Sequence, residues 1–179
     1  MPLLKRKDLI AAASNIQMLI LDVDGILTDG RIVYTSAGEQ VQAFHVHDGF
    51  GIKLLMKSGV DVVLLSARGG TALEKRANEL GIEALYQGKS DKLAVYEEIK
   101  GRFGVQDQYI AFMGDDWMDL PVLKKVGLAV TVADCAEAVK DQVHYITSKK
   151  GGMGAVREVC DLILEAKGML DRYLERFLR

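Results

Sequence analysis

The sequence of 179 residues has only two cysteines, two prolines and one tryptophan, and it has no long uninterrupted apolar run. Cys135 and Cys160 show neither the cysteine density of a disulfide-stabilised secreted domain nor the paired spacing of a zinc site. We therefore expect two buried thiols in a reduced compartment, which predicts a cytoplasmic protein. No segment approaches the roughly 18 apolar residues that a membrane-spanning helix needs.

An excess of one charge is also lacking, since 23 lysines and arginines face 25 aspartates and glutamates. The chain has no basic stripe of the kind that binds nucleic acid or an anionic membrane. Its N-terminus begins with basic residues, but the apolar piece that follows is short and is interrupted by Asp8 and Asn15, unlike a signal peptide. A composition of 49% hydrophobic and 27% charged residues is typical of one globular domain, here residues 1–179, acting on a small molecule.

Short apolar runs alternate with helix-like segments along most of the chain. These runs are continuous rather than alternating, which is typical of parallel strands covered by helices on both faces. Several of the helix-like segments end at glycine, as helices often do. The pattern predicts an α/β protein with a doubly wound, mainly parallel open sheet. The strand candidates are residues 18–23, 60–66, 83–87, 108–114, 127–132 and 143–147.

Residues 31–46 interrupt this alternation and predict a β-hairpin, with two strands around a polar turn that contains glycine. In this interpretation His45 and His47 alternate along a strand. The segment between Asp24 and Ser66 has room for this hairpin and one helix, so no cap domain is expected.

Polar residues follow the first four predicted strands of the sheet, where ligands of such sheets bind. These carboxylates would repel one another if they converge, so we expect a divalent cation with oxygen ligands, and Mg²⁺ fits best. Asp22 and Asp24 point the same way on an extended segment, so one could attack phosphorus while the other transfers a proton. The strand-end residues are Asp22, Asp24, Ser66, Arg68, Lys92, Asp115, Asp116 and Asp119.

Other interpretations of these residues have to be weighed. A single aspartate after a strand is usually a turn or helix-capping residue. The stretch around Gly49 and Gly51 lacks the third glycine of a dinucleotide site, and Glu83 stands where a P-loop ending at residues 88–90 needs its first glycine. A receiver-like signalling module also combines clustered acids with a lysine, but it needs its phosphoacceptor aspartate after the third strand, where this chain has residues 88–90. Dehalogenase chemistry is disfavoured because halide loss does not need the proton transfer that Asp24 would supply.

The ordered stretches LDVDGILTDG, LLSAR, GKSDK and MGDDWMDLP resemble the four motifs of the haloacid dehalogenase superfamily of phosphohydrolases. The resemblance implies that Asp22 is the nucleophile and Asp24 the general acid and base. It implies that Ser66 and Lys92 hold the phosphate. It further implies a Mg²⁺ ion bound by Asp22, Asp115 and the Asp24 carbonyl. Two more acids, Asp116 and Asp119, would have supporting roles, and Asp119 would orient Lys92.

Residues 14–168 resemble, more narrowly, the 3-deoxy-D-manno-octulosonate (KDO) 8-phosphate phosphatases. This resemblance implies hydrolysis of that sugar-acid phosphate in lipopolysaccharide precursor synthesis, and a homotetramer. A related nine-carbon sugar-acid phosphate remains an alternative substrate. The chain has Ser66 and Lys53 where threonine and arginine are usual, and lysine lacks the bidentate grip of arginine on a carboxylate. The implied substrate contacts are Asp24, His45, Val46, His47, Asp48, Gly49, Lys53, Arg68, Arg76 and Lys92.

A site without a cap would be open to water, so we expect a macromolecular substrate or cover from a neighbouring subunit. The resemblance implies the second arrangement, in which hairpins pack together in a tetramer and a C-terminal tail helps to close the adjacent site. The tail, residues 168–179, has apolar residues at helical spacing on one face. Docking of the tail onto its own domain is the alternative.

Overall fold

A computed structural model describes residues 1–178 of the chain. Six strands of this described part form one parallel sheet in the order β5-β4-β1-β6-β7-β8, and β2 pairs with β3 in a separate antiparallel hairpin. The predicted α/β fold, its six strands and the hairpin are confirmed. The strands are β1 (Met18–Leu21), β2 (Val33–Tyr34), β3 (Gln40–Val41), β4 (Asp61–Leu65), β5 (Ala84–Tyr86), β6 (Ile110–Met113), β7 (Leu128–Thr131) and β8 (Tyr145–Ile146).

Helices cover this sheet. The α7 helix packs against both α1 and α2, and α4 packs against α5. Within residues 1–178, no inserted cap domain interrupts the order of elements, and none of the helices is both long and apolar enough to cross a bilayer. The helices are α1 (Arg6–Ser14), α2 (Val46–Lys57), α3 (Thr71–Leu80), α4 (Lys92–Phe103), α5 (Leu120–Leu123), α6 (Glu137–Lys140), α7 (Ala155–Ala166) and α8 (Leu170–Phe177).

The β1 strand lies in the middle of the sheet because all four of its side chains are apolar and fully buried. Burial of side chains of this size contributes about 1.5–3 kcal/mol each, which fixes the strand in depth and direction. Its last residue, Leu21, pairs with Leu64 of β4 and Met113 of β6. The next residue, Asp22, therefore leaves the sheet at the same edge as the chain segments that follow β4 and β6.

The structure corrects the prediction for the end of the hairpin. The β3 strand ends at Val41, and α2 begins at Val46, so His45 precedes a helix and His47 lies in its first turn. The prediction that these two histidines alternate on a strand is wrong. Val46 is β-branched, and such residues are typical of strands. The Asp48 carboxylate favours a helix here instead, because a negative charge in the first turn interacts favourably with the helix dipole. The same carboxylate accepts a hydrogen bond from the Arg157 N–H (2.7 Å).

Both ends of the chain pack against the domain. At the N-terminus, α1 was not predicted as a helix, because this segment was considered only as a signal peptide; its Leu9 and Ala13 are buried. At the C-terminus, α8 buries Tyr173, and the Phe177 ring contacts the Phe50 ring edge-on at 5.6 Å. The tail thus docks on its own domain, with Leu174 and other apolar side chains of the helix still exposed.

Candidate active site

The carboxyl ends of the central strands bring the predicted acids together. Asp22 follows β1, Asp115 and Asp119 follow β6, and each has a carboxylate oxygen within 4.8 Å of one from the other two. Two of the three, Asp22 and Asp119, are buried. The parallel topology explains this convergence, because neighbouring strands deliver their C-terminal residues to one edge of the sheet.

Lys92 lies between two of these acids. Its Nζ atom is 2.8 Å from Asp22 Oδ1 and 2.6 Å from Asp119 Oδ1, and only 4% of its side chain is exposed. The lysine is the first residue of α4, whose N-cap Asp91 accepts a hydrogen bond from the Ala94 N–H. Burial alone would lower the pKa of Lys92, but the two carboxylates outweigh it and raise the pKa, so the side chain is a cation.

Asp119 holds Lys92 and the loop after β6 through both of its carboxylate oxygens. Oδ1 binds Lys92, while Oδ2 accepts hydrogen bonds from the backbone N–H groups of Asp115 (3.0 Å) and Asp116 (3.2 Å). The Asp116 side chain is exposed and caps the short 3₁₀ turn at Trp117 by accepting its N–H (2.8 Å). Asp119 therefore fixes both the lysine and the loop that carries Asp115, whereas Asp116 shapes the loop from outside the cluster.

The cluster holds more negative than positive charge. Burial, and then the Asp119 carboxylate, raise the pKa of Asp22 to about 7 against the opposing effect of Lys92. The same two causes, in the same order, raise the pKa of Asp115 to about 6. Three carboxylates facing one ammonium group leave a buried site that a divalent cation would neutralise. The donor set therefore fits Mg²⁺, with Asp22 and Asp115 as the natural carboxylate ligands because both oxygens of Asp119 already accept hydrogen bonds.

The loop after β1 closely approaches Asp115. Gly25 has φ +90°, and a Cβ atom at this position would overlap the Asp115 carboxylate. From the other side, a Cβ on Gly151 would overlap the Gly25 carbonyl oxygen, and the Gly152 N–H donates to Ile26 O (2.9 Å). Glycines at 25 and 151 thus allow the loop to lie between Asp115 and the segment before α7.

Asp24 lies on the more open side of the cleft. Its Oδ2 atom is 3.8 Å from Arg68 Nε, and its Oδ1 atom accepts a hydrogen bond from Gln42 Nε2 at 3.4 Å. Ser66 is buried, and its Oγ atom accepts the Arg68 N–H (3.2 Å). Asp24 and the residues after β4 therefore lie within contact distance, as the sequence predicts for adjacent strand ends.

The implied substrate contacts lie in different environments. Arg76 is mostly buried; it donates to the His45 carbonyl (3.4 Å), lies over the Phe44 ring and packs closely on Gly49. Asp48 is buried and faces the N-terminus of α7.

Three other members of this set, Val46, His47 and Lys53, are exposed on α2. The structure thus gives Arg76 and Asp48 contacts within the protein and leaves the α2 surface free.

Sequence reasoning missed three parts of this site. Gln42 touches Asp24, Asp48 links α2 to α7, and the Gly151–Gly154 segment contacts the loop after β1. The stretch GGMG before α7 was a signal for the third, because glycines without a side chain allow a close approach to another backbone segment. No sequence signal identified the first two contacts.

Comparisons with known proteins agree with this geometry. The family model described as haloacid dehalogenase-like hydrolase matches residues 83–159. A 3-deoxy-D-manno-octulosonate 8-phosphate phosphatase from Yersinia pestis is 49% identical over 164 residues, which cover 92% of this chain and 88% of the relative. The enzyme of that name from Escherichia coli strain K12 is 45% identical, with 92% and 87% covered.

The chain is also similar to a solved structure over nearly its whole length. The 3-deoxy-D-manno-octulosonate 8-phosphate phosphatase from Moraxella catarrhalis, in complex with a magnesium ion, a phosphate ion and a KDO molecule, superposes with a TM-score of 0.94. It is 37% identical, and the match covers 96% of this chain and 98% of that one. The similarity therefore extends over nearly the whole of both chains.

Proposed function

Because the chain belongs to the 3-deoxy-D-manno-octulosonate 8-phosphate phosphatase family of haloacid dehalogenase-like hydrolases, we propose that it hydrolyses 3-deoxy-D-manno-octulosonate 8-phosphate. The products are KDO and inorganic phosphate. The observation that carries this proposal is the buried contact of Lys92 with Asp22 and Asp119 at one edge of the sheet. The relative from Yersinia pestis, which is named for this activity, is matched over 88% of its length.

In the first step a carboxylate oxygen of Asp22 attacks the phosphorus atom. The new bond joins this oxygen to phosphorus, and the ester P–O bond breaks with its electron pair remaining on the sugar oxygen. Asp24 gives its proton to that oxygen as it leaves.

In the second step water hydrolyses the aspartyl-phosphate. Asp24, now ionised, takes a proton from the water as its oxygen attacks phosphorus, and the Asp22 carboxylate is released. Ser66 and Lys92 hold the non-bridging phosphate oxygens, where the fixed ammonium group stabilises the charge that develops. The buried ion pairs of Lys92 support this role, since they hold the cation in place before substrate arrives.

Mg²⁺ is the cofactor, and Asp22, Asp115 and the Asp24 carbonyl are the proposed ligands. When bound, the ion neutralises negative charge on the phosphate and the carboxylates. The surplus of carboxylates over ammonium groups in the cluster supports this assignment.

The sugar acid is proposed to contact the residues around the N-terminus of α2. Arg68 and Arg76 carry the cations suited to its carboxylate, and Lys53 adds a third on the exposed face of α2. His45 and His47 supply hydrogen-bonding groups for its hydroxyls. Lys92 and Asp24 contact the phosphate end.

Assembly and location are also proposals. Exposed apolar side chains of the hairpin, including Val33, Tyr34 and Val41, support packing of hairpins in a homotetramer. A neighbouring subunit would then cover the cleft. The two unpaired cysteines, Cys135 and Cys160, support a cytoplasmic location.

The proposed function is tested by phosphate release from a panel of phosphates, with and without Mg²⁺. The panel contains KDO 8-phosphate, nine-carbon sugar-acid phosphates and simple hexose phosphates. We expect the highest kcat/KM on KDO 8-phosphate and loss of turnover when Mg²⁺ is chelated. A higher kcat/KM on a nine-carbon acid would move the assignment to that substrate, and equal rates on hexose phosphates would contradict a sugar-acid specificity.

A further inference from the structure

Gln42 is the residue that links the hairpin to the proposed acid and base. It follows β3, and its Nε2 atom donates to Asp24 Oδ1 at 3.4 Å. Arg68 approaches the other oxygen of the same carboxylate, with Nε 3.8 Å from Oδ2. Asp24 is therefore held from two sides, by a neutral amide from the hairpin and by a cation from the segment after β4.

The orientation of the Gln42 amide carries a cost. Its Oε1 atom is buried and has no hydrogen-bond partner within residues 1–178. A buried acceptor without a partner disfavours the folded state, so such atoms need an explanation. Turning the amide over would set Oε1 against the Asp24 carboxylate, which only accepts hydrogen bonds when ionised. The contact with Asp24 thus explains why the amide keeps this orientation.

The surroundings of Gln42 also favour a role in the cleft. The hairpin side chains Val33, Tyr34 and Val41 are exposed, whereas Gln42 is partly buried. The hairpin therefore turns this polar side chain inward beside Asp24.

We propose that Gln42 is a positioning residue that holds Asp24 Oδ1, so that the Asp24 carboxyl group meets the leaving oxygen of the substrate. This inference rests on the proposed function, since it assumes that Asp24 protonates that oxygen. In the step concerned the ester P–O bond breaks, its electron pair stays on the leaving oxygen, and Asp24 supplies the proton. Gln42 takes no proton and touches no reacting atom.

The test compares two leaving groups in the full-length protein with Mg²⁺. The sugar oxygen of KDO 8-phosphate needs a proton as it leaves, whereas the nitrophenolate of p-nitrophenyl phosphate leaves without one. We expect Gln42→Met, which keeps the side-chain length but not the donor, to lower kcat/KM on KDO 8-phosphate by up to about tenfold, as loss of one hydrogen bond would. On p-nitrophenyl phosphate kcat/KM should change less than about twofold, because kcat/KM reports the steps up to departure of the leaving group and not the later hydrolysis of the aspartyl-phosphate, which both substrates share.

Two further variants complete the test. Gln17→Met makes the same change at an exposed glutamine before β1, at the opposite edge of the sheet, and should leave both values of kcat/KM at the wild-type level. Gln42→Asn keeps a neutral amide donor on a side chain one methylene shorter and should retain more kcat/KM on KDO 8-phosphate than Gln42→Met. Thermal melts of all variants report whether the hairpin substitutions affect folding.

Several results would overturn the inference. An equal fall of kcat/KM on both substrates for Gln42→Met would assign Gln42 a structural role, and unchanged kcat/KM on both would remove any role in turnover. A folded Gln42→Asn that is no faster than Gln42→Met on KDO 8-phosphate would exclude the donor as the cause. Wild-type inactivity on every sugar phosphate would overturn the proposed function together with this inference, whereas an active wild type with an unaffected Gln42→Met would overturn this inference alone.

Discussion

The two halves of the cleft differ in how their side chains are held. In the buried half, Asp22, Lys92 and Asp119 are enclosed and joined by contacts of 2.6 and 2.8 Å. In the open half, Arg68 is 50% exposed and lies 3.8 Å from its acidic neighbour, and Val46 is 72% exposed. The difference suggests that the folded chain alone fixes the reacting groups of the buried half. The groups of the open half, which recognise the sugar, would be fixed only when substrate binds or a neighbouring subunit covers them.

The largest effect on stability and activity is expected in the buried half, at Lys92. Lys92→Met leaves two buried carboxylates without their cation, so we expect a loss of about 3–5 kcal/mol in the free energy of unfolding. Activity should fall by at least about a hundredfold, because the phosphate loses a fixed positive charge. Lys89→Met, in the same GKSDK stretch but exposed, is the matched control and should change stability by less than about 0.5 kcal/mol. Denaturant unfolding and phosphate release measure both, and similar losses for the two variants would contradict the comparison.

The open half is tested at Arg68. We expect Arg68→Gln to raise KM for KDO 8-phosphate about tenfold, since one charge-assisted contact with the sugar acid is lost. Because an exposed pair contributes little to folding, stability should stay within about 0.5 kcal/mol of wild type. Arg102→Gln, remote from the cleft, is the control for KM. A large loss of stability in Arg68→Gln would show that the open half is as tightly coupled as the buried one.

Asp48 joins α2 to α7 beside the open half and gives a pH-dependent prediction. Burial raises its pKa above the ordinary value, against the opposing effects of the Arg157 N–H and of His45 and Lys149 nearby. The folded state therefore holds this proton more tightly than the unfolded state. Its stabilising contribution is complete below the unfolded pKa of 3.8 and is lost as the pH rises through the folded pKa.

Asp48→Asn removes this titration while keeping an oxygen that accepts from the Arg157 N–H. Relative to wild type, the variant should therefore gain stability between pH 4 and pH 7. Urea unfolding at both pH values measures the difference. Asp171→Asn on the exposed face of α8 is the control and should show no such gain. A relative loss of stability with rising pH would reverse the sign and contradict a raised pKa.

The smallest effect on activity is expected at the tail. Phe177 is 65% exposed and contacts the Phe50 ring, so Phe177→Ala should lower stability by only about 0.5–1.5 kcal/mol. If the tail acts only on its own domain, kcat/KM should be unchanged. A fall in kcat/KM that depends on protein concentration would instead support a tail that covers the site of a neighbouring subunit. The open half of the cleft would then be closed only in the oligomer.

The sequence predicted the buried half better than the open half, for a physical reason. Continuous apolar runs identify parallel strands, and parallel strands deliver Asp22 and Asp115 to one edge of the sheet. The open half depends on loop paths and long-range approaches. The Asp48 contact joins residues 109 positions apart, and His45 was assigned to a strand because its local pattern resembles one. Such contacts leave no local pattern, so Gln42 also went unnoticed.

The central claim is that Asp22 becomes phosphorylated during turnover, and it can be tested directly in a variant that should accumulate this intermediate. Asp24→Asn lacks the base that activates water, so a single turnover of p-nitrophenyl phosphate, whose leaving group needs no proton, should stop at the aspartyl-phosphate when enzyme is in excess. Rapid quenching, borohydride reduction and peptide mass spectrometry then locate the modified aspartate. The account predicts reduction at Asp22 in quenched samples and none in samples without substrate. Reduction at Asp115 or Asp119, or release of phosphate with no modified aspartate, would contradict it.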